Sequence, residues 1–152
     1  MIARYFKVFS ADPLIKLSSS TGAASAMVLR RILPLTADAD SASSFNPMLG
    51  TWVGGTGITN EFWIMNVPPG TYEVYLYSPT ASELGVSING GDYDWKNNTP
   101  TGGSAFVEND NYVKFTKVVA GVDRSFSPVR PSGGLVSIKV VGTLSGLQLL
   151  RL

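Results

Sequence analysis

The run Glu61-Phe62-Trp63-Ile64-Met65-Asn66-Val67, then Pro68-Pro69-Gly70, then Thr71-Tyr72-Glu73-Val74-Tyr75-Leu76-Tyr77-Ser78 carries the clearest β signature in the sequence. Its last part alternates, with Tyr72, Val74 and Leu76 on one face, and its side chains are largely aromatic or β-branched. That is a strand, preceded by another strand and a turn. The prolines fix φ and Gly70 tolerates a positive one, so the two runs are expected to be joined tightly and to pair or pack as neighbours.

The pattern continues on both sides. Leu84-Gly85-Val86-Ser87-Ile88-Asn89 alternates and runs into Asn89-Gly90-Gly91, the chemistry of a tight hairpin turn. Residues 112–119 and 135–141 are further β-rich runs, the second bounded by Gly133-Gly134 and Gly142, and residues 144–152 close the sheet. Upstream, residues 2–9, 14–17 and 26–35 supply three more. Residues 23–33, between Gly22 and Pro34, also admit a short helix, but strand is the preferred reading. The expectation is an all-β fold, an antiparallel β-sandwich or jelly roll of about eight strands, with residues 1–152 as one domain.

Composition agrees. Charged residues are 15% of the 152, against about 25% in an average protein, while Gly and Pro number 16 and 9. Cysteine and histidine are absent, which excludes disulfides, thiol nucleophiles, ordinary zinc sites and histidine-based triads. The net charge of +1 gives no pull toward nucleic acid or acidic membranes. Charge is nonetheless segregated, at +4 over residues 1–31, −7 over 32–95 and +4 over 96–152. A basic and an acidic face, with head-to-tail contacts between copies, is one expectation from this; chance segregation is the other. The opening Met1-Ile2-Ala3-Arg4-Tyr5-Phe6-Lys7 is not a signal peptide, and no run approaches the length of a membrane span. Synthesis in the cytoplasm is therefore expected.

The segments 67–78, Val86-Ser87-Ile88-Asn89-Gly90-Gly91, Asn111-Tyr112-Val113-Lys114-Phe115 and Leu144-Ser145-Gly146-Leu147-Gln148-Leu149 together resemble the galactose-binding-like jelly-roll domains. Leu17-Ser18-Ser19-Ser20-Thr21-Gly22-Ala23-Ala24 resembles a segment that precedes the second strand in some of them. The resemblance implies a jelly roll and roles from glycan binding to adhesion and virion accessory functions. It carries over no ligand residue, because the sugar and calcium ligands of such domains sit on variable loops.

The richest candidate site is the segment 89–98, which holds Asp92, Tyr93, Asp94, Trp95, Asn97 and Asn98. Sugar rings present C–H faces to aromatic side chains while carboxylates and amides take up their hydroxyls, so Tyr93 or Trp95 beside Asp92, Asp94 and Asn97 suits a glycan. The same residues also fit a polar hairpin tip whose tryptophan folds back over the sandwich edge. Trp52, in Gly50-Thr51-Trp52-Val53-Gly54-Gly55-Thr56-Gly57, reads as an exposed anchor on a flexible loop; the lysine of a phosphate-binding loop is missing. Trp63, Tyr72, Phe115 and Phe126 are assigned to the core. Asp92 with Asp94, Asp38 with Asp40 and Glu108 with Asp110 could each offer oxygens to calcium, but solvated turn acids are the simpler account, and no metal or other cofactor is assigned.

The sequence thus predicts a protein that binds rather than catalyses. The leading expectation is a bacteriophage virion accessory protein, a capsid decoration or tail component. Its partners would be other virion subunits, further copies of itself and cell-surface glycan, with neither nucleic acid nor membrane. The alternative is a carbohydrate-binding module of a glycan-recognising or glycan-degrading system.

Overall fold

Period-two alternation becomes burial in the strand Gly70–Tyr77, where Tyr72, Val74 and Leu76 are fully buried. The computed structural model describes residues 4–8, 14–19, 24–33, 40–41, 51–103, 105–121 and 133–152. Eleven strands run through them: β1 (Arg4–Val8), β2 (Leu14–Ser19), β3 (Ala24–Leu33), β4 (Asp40–Ser41), β5 (Thr51–Val67), β6 (Gly70–Tyr77), β7 (Glu83–Ile88), β8 (Asp94–Asn97), β9 (Tyr112–Val119), β10 (Gly134–Leu144) and β11 (Gly146–Arg151). No helix occurs among the described residues, so none there is long and apolar enough to cross a membrane.

All strand pairs are antiparallel and connect in the order β8-β7-β10-β5-β3-β2-β1-β11-β6-β9, with β4 beside β5. This is the all-β antiparallel architecture expected, consistent with a β-sandwich. The inner face is apolar. Phe62, Ile64 and Val67 of β5, Leu84 and Val86 of β7, Val113 and Phe115 of β9, Val136, Ile138 and Val140 of β10, and Leu147 and Leu149 of β11 form one buried cluster with the β6 side chains. Each such side chain contributes about 1.5–3 kcal/mol on leaving water.

The two ends of the sheet meet through side chains. β9 packs against β7 and β10 as well as pairing with β6. Lys117 of β9 binds the Asp94 carboxylate of β8, and Lys96 of β8 donates to the Lys114 carbonyl at 2.5 Å while standing 5.1 Å over the Phe115 ring. The Lys117–Asp94 contact joins the acidic middle of the sequence to its basic last third, as does Glu73 with Lys114 at 3.9 Å, whereas Lys96 and its partners all belong to the last third. Sequence-level charge segregation is therefore undone at these places by pairing across strands.

Several expectations change. β5 and β6 do not pair, for five strand-to-strand steps separate them in the sheet order. Asn66 adopts φ 60 in a bulge, and Pro68 and Pro69 lack the N–H that a continuing ladder needs, so the chain leaves one part of the sheet and re-enters another. The same bulge explains why Ile64 and Val67 both face inward despite their odd spacing. Trp63, assigned to the core, stands on the outer face at 36% exposure, because Phe62 and Ile64 take the inner positions beside it. Phe126 lies outside the described residues. From Thr51 onward the glycine-rich run is not a loop but the first half of β5, where the left-handed Gly54 and Gly57 bend the strand without ending it. Trp52 is thus a half-buried strand residue paired with Asp40, not an anchor on a flexible loop.

Candidate functional site

The outer face of β8-β7-β10-β5 is built on one row of register partners: Trp95 opposite Gly85, Gly85 opposite Lys139, and Lys139 opposite Glu61. In the adjoining same-face row, Ser87 faces Ser137, and Ser137 faces Trp63. Small residues thus hold three of the four central positions, Lys139 the fourth, with Trp95, Glu61 and Trp63 at the margins.

The turn that delivers this edge is rigid for identifiable reasons. Asn89 and Gly90 both have positive φ, 51° and 77°, and the Gly91 N–H donates to the Ile88 carbonyl at 3.0 Å, the backbone of a type I′ turn. The Asn89 side chain accepts from the Leu135 N–H at 2.8 Å and donates to the Ala120 carbonyl at 3.1 Å, while Ser87 Oγ donates to the Gly91 carbonyl at 2.7 Å.

Trp95 lies flat. A Cβ on Gly85 would stand 2.9–3.0 Å from its Cε3, Cδ2 and Cζ3, three ring carbons at nearly one distance, so the indole covers the Gly85 backbone like a plate. The residue remains 46% exposed. Tyr93 sits beside it with ring centroids 5.6 Å apart and planes 31° apart. Its hydroxyl donates to Glu61 Oε1 at 3.2 Å, and the Lys139 ammonium stands 5.0 Å from its ring centre. Burial, then the Glu61 charge and the hydrogen bond to it, push the Tyr93 phenol up to about 12, so it is a neutral donor at any physiological pH.

The structure divides the sequence-predicted site. Tyr93 and Trp95 come together, and Asn97 lies exposed further along β8, opposite Glu83. Asp94 is separated from them, since its carboxylate turns to Lys117 on β9, whose ammonium holds it below the usual carboxylate range. Asp92 is exposed at the turn. Asn98 is buried as a staple: its Oδ1 accepts from the Ser82 N–H at 2.8 Å, and its Nδ2 faces the carbonyls of Ser78, Thr80 and Asp110 at 3.2, 2.9 and 2.9 Å. Trp52 lies toward the opposite end of β5 from Glu61 and is not part of this face. Glu61, Trp63 and Lys139 are the residues sequence reading missed. With Phe62 and Ile64 inward, alternation alone puts Glu61 and Trp63 outward together.

Among the acids read as calcium candidates, Asp110 accepts from the Thr101 N–H at 3.1 Å and from its hydroxyl. Asp38 and the Asp40 side chain lie outside the described residues. No group of three or more acidic side chains converges among the described residues.

An all-β protein with an aromatic and charged outer sheet face is what these residues define. No family model matches the chain, and no curated protein matches it. Among solved structures it is similar to an exo-β-1,3-galactanase from Phanerochaete chrysosporium: to a variant with β-1,3-galactotriose at 21% identity and TM-score 0.46, over 74% of this chain and 25% of that one. It is similar to the same enzyme with galactose at 17% identity and TM-score 0.45, over 84% of this chain and 30% of that one. This chain therefore spans 25–30% of those enzymes. Those matched chains belong to enzymes, which runs against the expectation of a chain that binds rather than catalyses. Nothing in the comparisons supports the virion reading.

Proposed function

We propose that the outer face carrying Tyr93 and Trp95 binds carbohydrate. The observation that carries this reading is the plate-like seating of Trp95 over Gly85, which leaves an indole face toward solvent on a fixed edge. A pyranose ring stacks its C–H face on such a surface, where the aromatic quadrupole and the removal of apolar area from water both favour it. Hydroxyl groups then need partners. Lys139 supplies a donor one strand in from Gly85 and Glu61 acceptors two strands in, and Asn97 offers both along β8.

The test is a glycan array with the wild-type protein and the variants Trp95→Ala and Trp52→Ala. Binding that survives Trp52→Ala and is lost in Trp95→Ala is expected. A wild-type protein that binds no glycan, or a Trp95→Ala variant that binds as well as the wild type, overturns the reading.

A further inference from the structure

We infer that this face takes an extended glycan lying across the strands, one sugar ring on each of Trp95, Tyr93 and Trp63, and not a single terminal sugar. The inference rests on the carbohydrate reading above and adds the length and direction of the ligand. Trp95 is on β8 and Trp63 on β5, the two margins of the four-strand face. Three inter-strand spacings of about 4.8 Å and two residues of about 3.4 Å along the strand place their Cα atoms roughly 16 Å apart.

Tyr93 fills the interval. It enters from the β8 side, and its hydroxyl meets Glu61 of β5, so its side chain reaches across the face between the two indoles. The floor beneath is small, with Gly85, Ser87 and Ser137 all buried though they point to the outer side. Bulkier side chains in these three positions would raise the middle of the face above its aromatic margins. Trp63, at 36% exposure, has no role in the core, and an exposed tryptophan in register with this floor acquires one as a remote contact for a chain that begins on Trp95. A monosaccharide on Trp95 leaves Trp63 untouched. A chain of three or more rings reaches it.

Isothermal titration with soluble oligosaccharide series from one to six rings, of the laminari, cello, xylo, manno and β-1,3-galacto types, tests this. For the series that binds, affinity is expected to climb until Trp63 is engaged and then level, each aromatic adding roughly tenfold or somewhat less. Trp63→Ala should bind the shortest ligand like the wild type and lose the last part of the climb, while Trp63→Tyr, which keeps a ring and checks that the face still folds, should recover most of it. Affinity independent of length, or a Trp63→Ala variant that matches the wild type at every length while Trp95→Ala does not bind, overturns the extended-chain inference and leaves the carbohydrate reading standing. A wild-type protein that binds no member of any series overturns both.

Discussion

Gly85 and Trp95 are direct cross-strand partners, and the absent side chain of the first is the seat of the second. Gly85 has no positive φ, so its backbone makes no demand for glycine. Space makes it, because any Cβ there meets three indole carbons at 2.9–3.0 Å. Gly85→Val should therefore lift the ring off the sheet. A destabilisation of about 1–3 kcal/mol is expected from such overpacking, with a red-shifted tryptophan emission and loss of glycan binding in the same variant. Urea titration followed by fluorescence reads both effects.

Asn97 and Asn98 are neighbours in sequence with opposite roles. Asn98→Ala removes the acceptor for the Ser82 N–H and the donor to three carbonyls from a buried side chain. The expected cost is about 3 kcal/mol. Asn97 is exposed, so Asn97→Ala should change stability by no more than about 0.5 kcal/mol, and only ligand binding should respond. Denaturation midpoints of the two variants, measured side by side, check the contrast.

Two tyrosines make stability fall at alkaline pH. Hydrogen bonding to Glu73 first, and then burial, pushes the Tyr75 phenol up to about 12, and burial with Glu61 does the same for Tyr93. Unfolded tyrosine ionises near 10, so the folded state holds these protons more tightly; the resulting stabilisation is complete below about pH 10 and disappears as pH rises through about 12. Absorbance at the phenolate band should show these groups titrating late in the native protein. Tyr93→Phe and Tyr75→Phe should each shallow the alkaline loss of stability.

The seam between β8 and β9 is a charge contact at an exposed place. Lys117 keeps Asp94 ionised below the usual carboxylate range, so the pair is present at neutral pH and is lost as pH falls through that lowered value. A double-mutant cycle with Asp94→Asn and Lys117→Met should return a coupling that fades as salt is raised. Glycan binding should be untouched in Asp94→Asn, since that carboxylate serves the seam and not the Tyr93 and Trp95 face.

Much of this architecture was legible in the residues. Tyr72, Val74 and Leu76 read as one buried face because nothing interrupts their alternation, and Asn89-Gly90 read as a hairpin turn because few other pairs tolerate two positive φ values. What was hidden has a common cause, departures from regular pairing. The left-handed Asn66 hides the parity of Phe62, Trp63 and Ile64 behind a bulge, so Trp63 looked like core. Gly54 and Gly57 bend β5 within its first half, and a bent strand rich in glycine has the composition of a loop. The site was half legible. Tyr93 and Trp95 stand two residues apart in sequence, whereas Glu61, Lys139 and Trp63 join them only through strand order, which no local pattern encodes. One local signal does point to the site, the interior glycine at position 85, which in a strand marks a close approach.

The three tryptophans offer the most direct measurement, because each stands in a different place and Trp52 serves as the internal control. Each indole N–H gives its own cross-peak in a proton–nitrogen correlation spectrum, assignable by substitution. On titration with the strongest glycan from the array, the Trp95 and Trp63 peaks should move together along a saturating curve while the Trp52 peak stays in place. Movement of Trp52 without Trp95, or a spectrum that no glycan perturbs, would contradict the account.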